Sequence, residues 1–278
     1  MPHISSFAKI NLGLEVLRKR DDGFHDINTI FARISLSDAI TIETDNQLQC
    51  FCAPQLGITP EQNLAYKAVE QYNKAFPNTE AAKITIRKHI PNGAGLGGGS
   101  SNAAYVLRSL CNRDGIEPTS PKILEIATKL GSDIPYFLHD GLAVATSKGE
   151  ELSYFTCSIP YHVLLVFPAL HVSTPWAYSQ LHVHPEGKSA KPLRDILLMG
   201  ISDPLHLREY CSNDFEKPVF GHFPRLAEIK KSLYDTGAVF ALMSGSGSSV
   251  YGLFTTQAEA LKAACTFSQE QTYVCTFV

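Results

Sequence analysis

A glycine-rich run, Pro91-Asn92-Gly93-Ala94-Gly95-Leu96-Gly97-Gly98-Gly99-Ser100-Ser101, restricts what this chain can fold into more than any other stretch. Five of residues 93–99 are glycines, which reach positive φ and let the backbone approach a ligand without a Cβ collision. The apolar spacing after the run predicts a helix, with an apolar face of Ala103, Val106, Leu107, Leu110 and Cys111. We expect Ser100 or Ser101 to cap this helix. A glycine turn that leads into a helix N-terminus predicts an anion site, most often for phosphate.

Two common nucleotide motifs share features with this run, but neither fits its context. The pattern G-x-G-x-x-G is present from Gly93 to Gly98, yet residues 83–88 before it alternate charged and apolar side chains. A dinucleotide-binding loop follows a buried parallel strand, which is a near-continuous apolar run. The Walker A pattern fails because no lysine precedes Ser100. A plain turn between a strand and a helix needs one or two glycines rather than five, so we retain the phosphate site.

Composition excludes several classes of protein. The chain has 278 residues, is 44% hydrophobic and 18% charged, and carries a net charge of −3. These values predict a soluble globular protein of one or two domains without a basic surface for nucleic acid. The seven cysteines are scattered, and the nearest pair, Cys50 and Cys52, is not C-x-x-C, so we expect neither a disulfide scaffold nor a zinc site. The apolar run 163–170 is too short to span a membrane, and residues 1–10 do not resemble a signal peptide. We therefore expect a cytoplasmic protein.

The N-terminal part is predicted to be rich in β-strands, followed by helices. Residues 7–17 alternate strictly, which predicts a strand with one buried face and places Lys9 and Asn11 side by side on the other. The further predicted strands are 27–34, 39–44, 83–88 and 142–146, and the predicted helices are 60–76 and 121–130.

A change in composition near residue 155 predicts a second domain. Its predicted strands lie at 161–167, 238–243, 248–254 and 272–277, with helices at 174–181, 226–234 and 257–267 and a loop at 182–192. The later elements follow the order of a split β-α-β unit, which is typical of a ferredoxin-like domain.

Three further features have two interpretations each. Asp133, between Gly131-Ser132 and Ile134-Pro135, is explained from spacing alone as a helix N-cap. Lys9 is explained from spacing alone as a solvated strand lysine. The small residues Ser244–Ser249 are either a hairpin loop or a place where a ligand or the first glycine loop packs closely.

The glycine run and four further motifs, in a fixed order along the chain, add a family resemblance. The glycine run is similar to the phosphate-binding signature of the GHMP kinases. The other stretches are Ala8-Lys9-Ile10-Asn11-Leu12, Asp22-Gly23-Phe24-His25, Gly131-Ser132-Asp133-Ile134-Pro135 and Ser244-Gly245-Ser246-Gly247. Together they resemble the 4-diphosphocytidyl-2-C-methyl-D-erythritol kinase family. The resemblance implies a two-domain α+β fold, with an ATP-binding, ribosomal-protein-S5-like domain at 1–155 and a ferredoxin-like, substrate-side domain at 156–278.

The resemblance also implies a reaction and roles for individual residues. The reaction is ATP-dependent phosphorylation of the 2-hydroxyl of 4-diphosphocytidyl-2-C-methyl-D-erythritol, which yields the 2-phosphate and ADP in the non-mevalonate isoprenoid pathway. The loop from Pro91 to Ser101 would bind the ATP triphosphate with Mg²⁺, whose ligands are not assigned. Asp133 would be the catalytic base, and Lys9 beside it would hold Asp133 ionised and stabilise developing charge.

The substrate-binding residues implied by the resemblance are Asn11 for the polyol and Phe24 and His25 for cytosine, with Thr174 and Tyr178 forming a second wall of the pocket. Two residues depart from the family. Phe24 replaces the usual tyrosine and keeps the stacking surface, and Asn92 replaces a usually apolar residue in the loop.

The alternatives are another GHMP kinase of the mevalonate or homoserine type, or a non-catalytic nucleotide-binding module. Phe24-His25 argues against the first, because those kinases need no cytosine pocket, and the presence of both Lys9 and Asp133 argues against the second. The expected partners are therefore the two small-molecule substrates, in a monomer or weak homodimer without membrane or nucleic-acid contacts.

Overall fold

A computed structural model describes residues 3–77, 81–183 and 186–278 and shows an α+β protein with two β-sheets. In this part of the chain the strands are β1 (Ile4–Lys19), β2 (His25–Asp45), β3 (Gln49–Ala53), β4 (Ala81–Arg87), β5 (Leu142–Thr146), β6 (Glu151–Phe155), β7 (His162–Phe167), β8 (Phe240–Met243), β9 (Val250–Phe254) and β10 (Gln271–Cys275). The α-helices of the same residues are α1 (Leu64–Ala75), α2 (Gly98–Asp114), α3 (Pro121–Leu130), α4 (Ile134–Leu138), α5 (Thr174–Ser179), α6 (Leu193–Gly200), α7 (Pro204–Tyr210), α8 (Glu216–His222), α9 (Pro224–Asp235) and α10 (Gln257–Ala264). Among these described residues, no helix has the length and apolar character needed to cross a membrane.

The chain forms two compact units, each assembled from separate stretches of sequence. The first unit contains the described residues of Met1–Ala8, Leu36–Asn92 and Gly97–Asp140. The second unit contains the described residues of Lys9–Ser35, Gly93–Leu96 and Gly141–Val278. The domain boundary predicted at residue 155 stays a prediction.

In the first unit, β4 lies between β2 and β3, antiparallel to residues 39–45 of β2 and parallel to β3. The alternation of β4 is reflected in its burial, because Ala82, Ile84 and Ile86 are buried. Helix α1 packs on α2 and α3, and α2 also packs on α4. The predicted apolar face of α2 is buried at all of its positions, Ala103, Val106, Leu107, Leu110 and Cys111.

The second unit contains a four-stranded antiparallel sheet in the order β10-β7-β9-β8. Helices separate β7 from β8, and α10 separates β9 from β10, so the chain follows the split β-α-β order. Helices α9 and α10 pack on this sheet, and the central strand β7 is buried from Val163 to Val166. The predicted ferredoxin-like arrangement is confirmed. The first residues of β2 also belong to this unit and pair with β5, which pairs with β6.

The prediction for β1 is wrong in one respect that matters for the site. The strand is buried on both faces, since Lys9 is only 5% exposed and Asn11 only 1%, like the apolar neighbours Ile10 and Leu12. Strict alternation of polar and apolar residues is normally the mark of a strand with one face in water. Here the polar face is covered as well, and its side chains bind one another.

Smaller differences concern where elements begin. Residues 27–34 and 39–44 belong to the single long strand β2. Pro60–Gln62 form one 3₁₀ turn, and α1 begins only at Leu64, where Asn63 Oδ1 accepts a hydrogen bond of 2.9 Å from the amide of Ala65. The three helices α6, α7 and α8 were not predicted. The predicted loop 182–192 contains neither helix nor strand in its described residues, and His184 and Pro185 lie outside the described residues.

Candidate active site

The glycine run adopts the conformation that its sequence predicts. Gly93, Gly95 and Gly97 have φ values of +64°, +76° and +67°, in the left-handed region that favours glycine. Helix α2 begins immediately afterwards at Gly98, with Gly97 as its N-cap. The first N–H groups of a helix have no partner within the helix, and its N-terminus carries a partial positive charge. This arrangement suits a phosphate group.

The expected serine cap of α2 is wrong. Ser100 and Ser101 lie inside the first turn of the helix rather than before it, because the left-handed Gly97 takes the cap position. The Ser101 hydroxyl donates to the carbonyl oxygen of Phe7 over 2.6 Å and lies 2.7 Å from the Ser6 hydroxyl. Ser101 therefore fastens the helix start to β1 within the first unit.

A buried ion pair, not predicted from the sequence, supports the same helix start. The Asp38 carboxylate, fully buried, accepts hydrogen bonds from the Lys88 ammonium, from Asn102 Nδ2 at 2.9 Å and from the backbone amides of His89 and Ile90 at 2.8 and 2.9 Å. Several donors around one carboxylate compensate for its removal from water.

The Lys88 ammonium of this pair also lies beside the first residue of α2. A Cβ atom added to Gly98 would be 3.2 Å from Lys88 Nζ and 3.0 Å from Ile90 Cγ2. A side chain at position 98 would therefore crowd both Ile90 and the Lys88 ammonium.

In the second unit, the glycine run packs directly against the second cluster of small residues. A Cβ atom on Gly95 would lie 2.1 Å from the carbonyl oxygen of Ser244, which no side chain could tolerate. The Ser244 hydroxyl donates to the Gly95 carbonyl oxygen at 2.9 Å, and the Ser249 amide donates to that of Ala94 at 3.3 Å. Ser244–Ser249 is the hairpin loop between the antiparallel strands β8 and β9, and it also packs closely against the first glycine loop, so both interpretations hold.

The side chain of Asn213 holds the backbone around the second cluster, Ser244–Ser249, by hydrogen bonds. Its Nδ2 group donates to the carbonyl oxygens of Met243 and Gly245, at 2.8 Å each, and its Oδ1 atom accepts from the amide of Phe215 at 2.9 Å. The side chain is buried, and it links the backbone of Met243 and Gly245 to the start of α8 at Phe215. The interlocked glycine loops are thus held in one backbone conformation.

Lys9 and Asn11 meet on β1, as their spacing predicts, but in a buried setting. Lys9 Nζ donates to Asn11 Oδ1 at 2.8 Å and lies 4.7 Å from the centre of the Phe31 ring. Asn11 Nδ2 donates to the hydroxyl of Thr29 at 2.9 Å. The interpretation of Lys9 as a solvated strand lysine is therefore wrong, because a buried ammonium requires such partners.

The proposed cytosine-binding residues lie partly together in the second unit. The rings of His25 and Tyr178 stack, with centroids 4.8 Å apart and an angle of 22°. Phe24 is 59% exposed, and its ring lies 5.0 Å from Lys148 Nζ. The Thr174 hydroxyl is 2.9 Å from that of Ser246 in the second glycine cluster. Tyr178 is thus joined to His25, whereas Thr174 is joined to the glycine loops.

The surroundings of His25 favour its neutral form. Partial burial lowers the pKa of His25, and the positive charge of Lys19 lowers it further. A neutral imidazole has one nitrogen that donates and one that accepts, so it can read the edge of a base.

Asp133 occupies the N-cap position of α4 in the first unit. Within the described segment 81–183, however, its side chain makes no capping hydrogen bond to that helix. Every residue of α4 from Ile134 to Leu138 is buried, whereas Asp133 itself is half-buried. Asp133 therefore has the position of an N-cap residue, but its side chain does not make the hydrogen bond to α4 that a cap makes.

Among the described residues, no group of three or more His, Cys, Asp or Glu side chains is arranged to hold a metal ion.

Comparisons with known proteins agree with these features. Residues 63–141 match the GHMP kinases N terminal domain, and residues 197–271 match the GHMP kinases C terminal domain. A 4-diphosphocytidyl-2-C-methyl-D-erythritol kinase of Chlorobium luteolum is 42% identical over 268 residues, which cover 95% of this chain and 93% of the relative. The chain belongs to the 4-diphosphocytidyl-2-C-methyl-D-erythritol kinase family of GHMP kinases. A member of this family from Chlorobaculum tepidum is 38% identical, over 95% of this chain and 93% of the relative.

Solved structures agree with the family. A crystal structure of 4-(cytidine 5'-diphospho)-2C-methyl-D-erythritol kinase has a TM-score of 0.82 and 33% identity, over 99% of this chain and 98% of that one. A homoserine kinase from Cytophaga hutchinsonii has a TM-score of 0.67 at 17% identity, over 98% of this chain and 93% of that one. At that identity the second likeness shows the fold alone. The α+β fold predicted from the kinase resemblance is confirmed.

Sequence reasoning missed two groups of residues in this member of the kinase family. Asp38 and Lys88 were unremarkable strand residues, and only their meeting in the fold makes them an ion pair. Thr29 lies in the same stretch as Phe24 and His25, but nothing in its spacing indicates that it binds Asn11. The spacing of these residues in the sequence carries no signal for either pairing.

Proposed function

We propose that this protein transfers the γ-phosphoryl group of ATP to the 2-hydroxyl of 4-diphosphocytidyl-2-C-methyl-D-erythritol, which yields the 2-phosphate and ADP in the non-mevalonate isoprenoid pathway. The observation that carries the proposal is 42% identity, over nearly the whole of both chains, to a relative named for this kinase activity. The Tyr178 ring stacked on His25 and the lowered pKa of His25 support it independently, because an aromatic site with a neutral imidazole suits a cytosine base.

The glycine run is the proposed site of the ATP triphosphate, from Pro91 to Ser101. Gly93, Gly95 and Gly97 have left-handed backbone conformations, and the N-terminus of α2 carries a partial positive charge. Phosphoryl transfer depends on such positioning and charge neutralisation. Mg²⁺ is proposed to accompany ATP, where it would neutralise phosphate charge; such an ion is commonly held by nucleotide phosphates and one or two carboxylates.

Asp133 is the proposed base that takes the proton from the substrate hydroxyl. Its half-buried carboxylate makes no capping hydrogen bond to α4, so the explanation of Asp133 as a helix cap lacks the hydrogen bond that it requires. Lys9 is proposed to stabilise the charge that develops on the transferring group. Its ammonium is held by Asn11 and Phe31 rather than moving in solvent.

The cytidine end of the substrate is proposed to bind at Phe24, His25 and Tyr178, with Thr174 nearby and Asn11 contacting the polyol. The exposed ring of Phe24 offers a stacking surface, and the neutral His25 offers a donor and an acceptor for the base edge. The loss of the hydroxyl that a tyrosine would carry at position 24 leaves this stacking surface unchanged.

The remaining expectations are kept as proposals. Residues 1–155 are proposed as the ATP-binding domain and residues 156–278 as the substrate-side domain. The protein is proposed to act in the cytoplasm, as a monomer or weak homodimer.

A coupled ADP-release assay tests the proposed function. The purified protein is given ATP and Mg²⁺ with the cytidine substrate, with mevalonate or with homoserine, and Asp133→Asn is assayed in parallel to detect a contaminating kinase. We expect ADP release with the cytidine substrate alone. Release with mevalonate or homoserine instead would assign another GHMP kinase activity. ATP binding without ADP release for every alcohol would indicate a non-catalytic nucleotide-binding module.

A further inference from the structure

A chain of three buried hydrogen bonds connects Lys9 to the backbone of its own strand in the second unit. Lys9 Nζ donates to Asn11 Oδ1 at 2.8 Å, and Asn11 Nδ2 donates to Thr29 Oγ1 at 2.9 Å. Thr29 Oγ1 in turn donates to the carbonyl oxygen of Gly13 at 2.5 Å. Lys9, Asn11 and Thr29 are 5%, 1% and 0% exposed, so water does not compete for these bonds.

The direction of this chain is fixed from the Gly13 end. A carbonyl oxygen can only accept, so the single proton of the Thr29 hydroxyl is committed to Gly13. The Thr29 oxygen must then accept from Asn11, which turns the Nδ2 group of the amide towards Thr29 and its Oδ1 atom towards Lys9. The opposite orientation would place the amide N–H groups against an ammonium, which has no acceptor.

The backbone of Asn11 is fixed independently. The hydroxyl of Tyr251, a fully buried residue, donates to the carbonyl oxygen of Asn11 at 2.9 Å. With the backbone held in place, rotation of the side-chain amide is the main freedom that Asn11 retains. The Thr29 hydroxyl removes that freedom.

We propose that Thr29 is a positioning residue: its hydroxyl sets the orientation of the Asn11 amide, and this amide holds the Lys9 ammonium in place for phosphoryl transfer. The part that concerns transfer rests on the proposed function. Thr29 itself touches no reacting group, and it acts only through Asn11. The competing explanation is that Thr29 merely satisfies a buried carbonyl group and stabilises the strand.

The first test compares Thr29→Val with Thr29→Ser. Valine keeps the shape of threonine but can neither accept from Asn11 nor donate to Gly13, whereas serine can do both. We expect Thr29→Val to lower kcat by about 10- to 100-fold, in line with small misplacements of catalytic groups, with the KM for ATP changed less than about twofold. Thr29→Ser should stay within about threefold of the wild-type kcat. If Thr29→Val does not fold, Thr29→Cys replaces it, because a sulfur atom is a weak acceptor; wild-type kcat in either variant contradicts the proposal.

Thr236→Val is the matched control. Thr236 Oγ1 donates to the carbonyl oxygen of Ser232 at 2.8 Å at the end of α9, so the variant also loses a threonine-to-carbonyl hydrogen bond in the second unit. We expect it to leave kcat unchanged. A similar loss of kcat in Thr236→Val would attribute the Thr29 effect to general destabilisation.

A double variant separates positioning from structural support. If Thr29 acts through Asn11, then Thr29→Val should cause no further loss of kcat once Asn11 has been changed to alanine. Losses that multiply in the double variant would show that Thr29 acts independently of Asn11 and would overturn the proposal.

A readout without turnover distinguishes this proposal from the proposed function. In protein labelled with ¹⁵N-asparagine, the Asn11 side-chain amide should be protected from hydrogen exchange in the wild type and in Thr29→Ser, and unprotected in Thr29→Val. This result, together with a wild-type protein that is inactive towards the cytidine substrate, would support the orientation of Asn11 and refute the kinase assignment. An Asn11 amide that is equally protected in Thr29→Val would refute the role of Thr29, whatever the activity.

Discussion

The substitution Gly95→Ala tests whether the two glycine-rich loops of the second unit are interlocked. Gly95 faces the backbone of Ser244, and the added Cβ atom would lie 2.1 Å from its carbonyl oxygen. Ordinary contacts of a Cβ atom are 3.4–4 Å, so one loop must move by about 1 Å or more. The Asn213 side chain, bonded to Met243 and Gly245, opposes that movement.

Two effects determine the size of the loss. At a φ of +76°, a residue with a Cβ atom costs about 1–2 kcal/mol relative to glycine. Overpacking of a buried site costs about a further 1–3 kcal/mol. We therefore expect Gly95→Ala to lower the free energy of unfolding by about 2–5 kcal/mol, which is a large part of the typical stability of a protein. Because the moved loop carries the proposed phosphate-binding N–H groups, the KM for ATP should rise as well.

The assay is urea unfolding followed by the fluorescence of Trp176, the single tryptophan of the chain, which lies in the same unit as Gly95. Gly23→Ala is the control, since Gly23 has a φ of +84° in the same unit but no atom within 4 Å of an added Cβ. It should show the cost of the backbone conformation alone, about 1–2 kcal/mol, with an unchanged KM for ATP. Equal losses in the two variants would refute the interlocking of the loops.

The remaining predictions concern catalysis and substrate binding. Asp133→Asn should lower kcat by about 10²- to 10⁴-fold, as expected for a general base, and near-normal turnover would show that Asp133 is not the base. Lys9→Ala should lower kcat without unfolding the protein, whereas a large fall in Tm would indicate a structural role. The KM for the cytidine substrate should be constant above the ordinary His25 pKa of 6.5 and rise as the pH falls through the lowered pKa of the folded protein. His25→Gln should remove this dependence of KM on pH. The folded protein binds a proton on His25 less readily than the unfolded chain does. Below about pH 6.5 the protonation of His25 therefore lowers the free energy of unfolding.

The elements that the sequence predicted well each carry a clear local signal. Strand β7 is a continuous apolar run because it lies at the centre of the ferredoxin-like sheet, and α3 is marked by proline at its start and glycine at its end. The missed helices α6, α7 and α8 are only seven or eight residues long. Two turns of helix give too few apolar positions for a period of 3.6 to stand out.

The candidate site was predictable only where its residues are neighbours in the sequence. Phe24 and His25 are adjacent in the sequence, and the glycines of the loop lie within residues 93–99, so each group can be recognised as a sequence motif. Asp38 and Lys88 are 50 residues apart, and their pairing depends on the register of β2 and β4, which places Ala39 opposite Arg87. The burial of Lys9 could not be predicted either, because alternation shows which residues share a face of a strand but not whether other parts of the protein cover that face.

The number of glycines in the loop has a separate explanation at each position. Gly93, Gly95 and Gly97 take left-handed conformations, and Gly95 in addition touches the backbone of the second cluster. Gly98 has no positive φ, but a side chain there would crowd Ile90 and Lys88. Gly99 differs from all of these, since an added Cβ would only meet Leu64 at an ordinary 3.7 Å. The backbone conformation therefore favours glycine at positions 93, 95 and 97, and tight packing disfavours a side chain at position 98. Under the proposed function Gly99 is explained by the close approach of a phosphate group to the backbone.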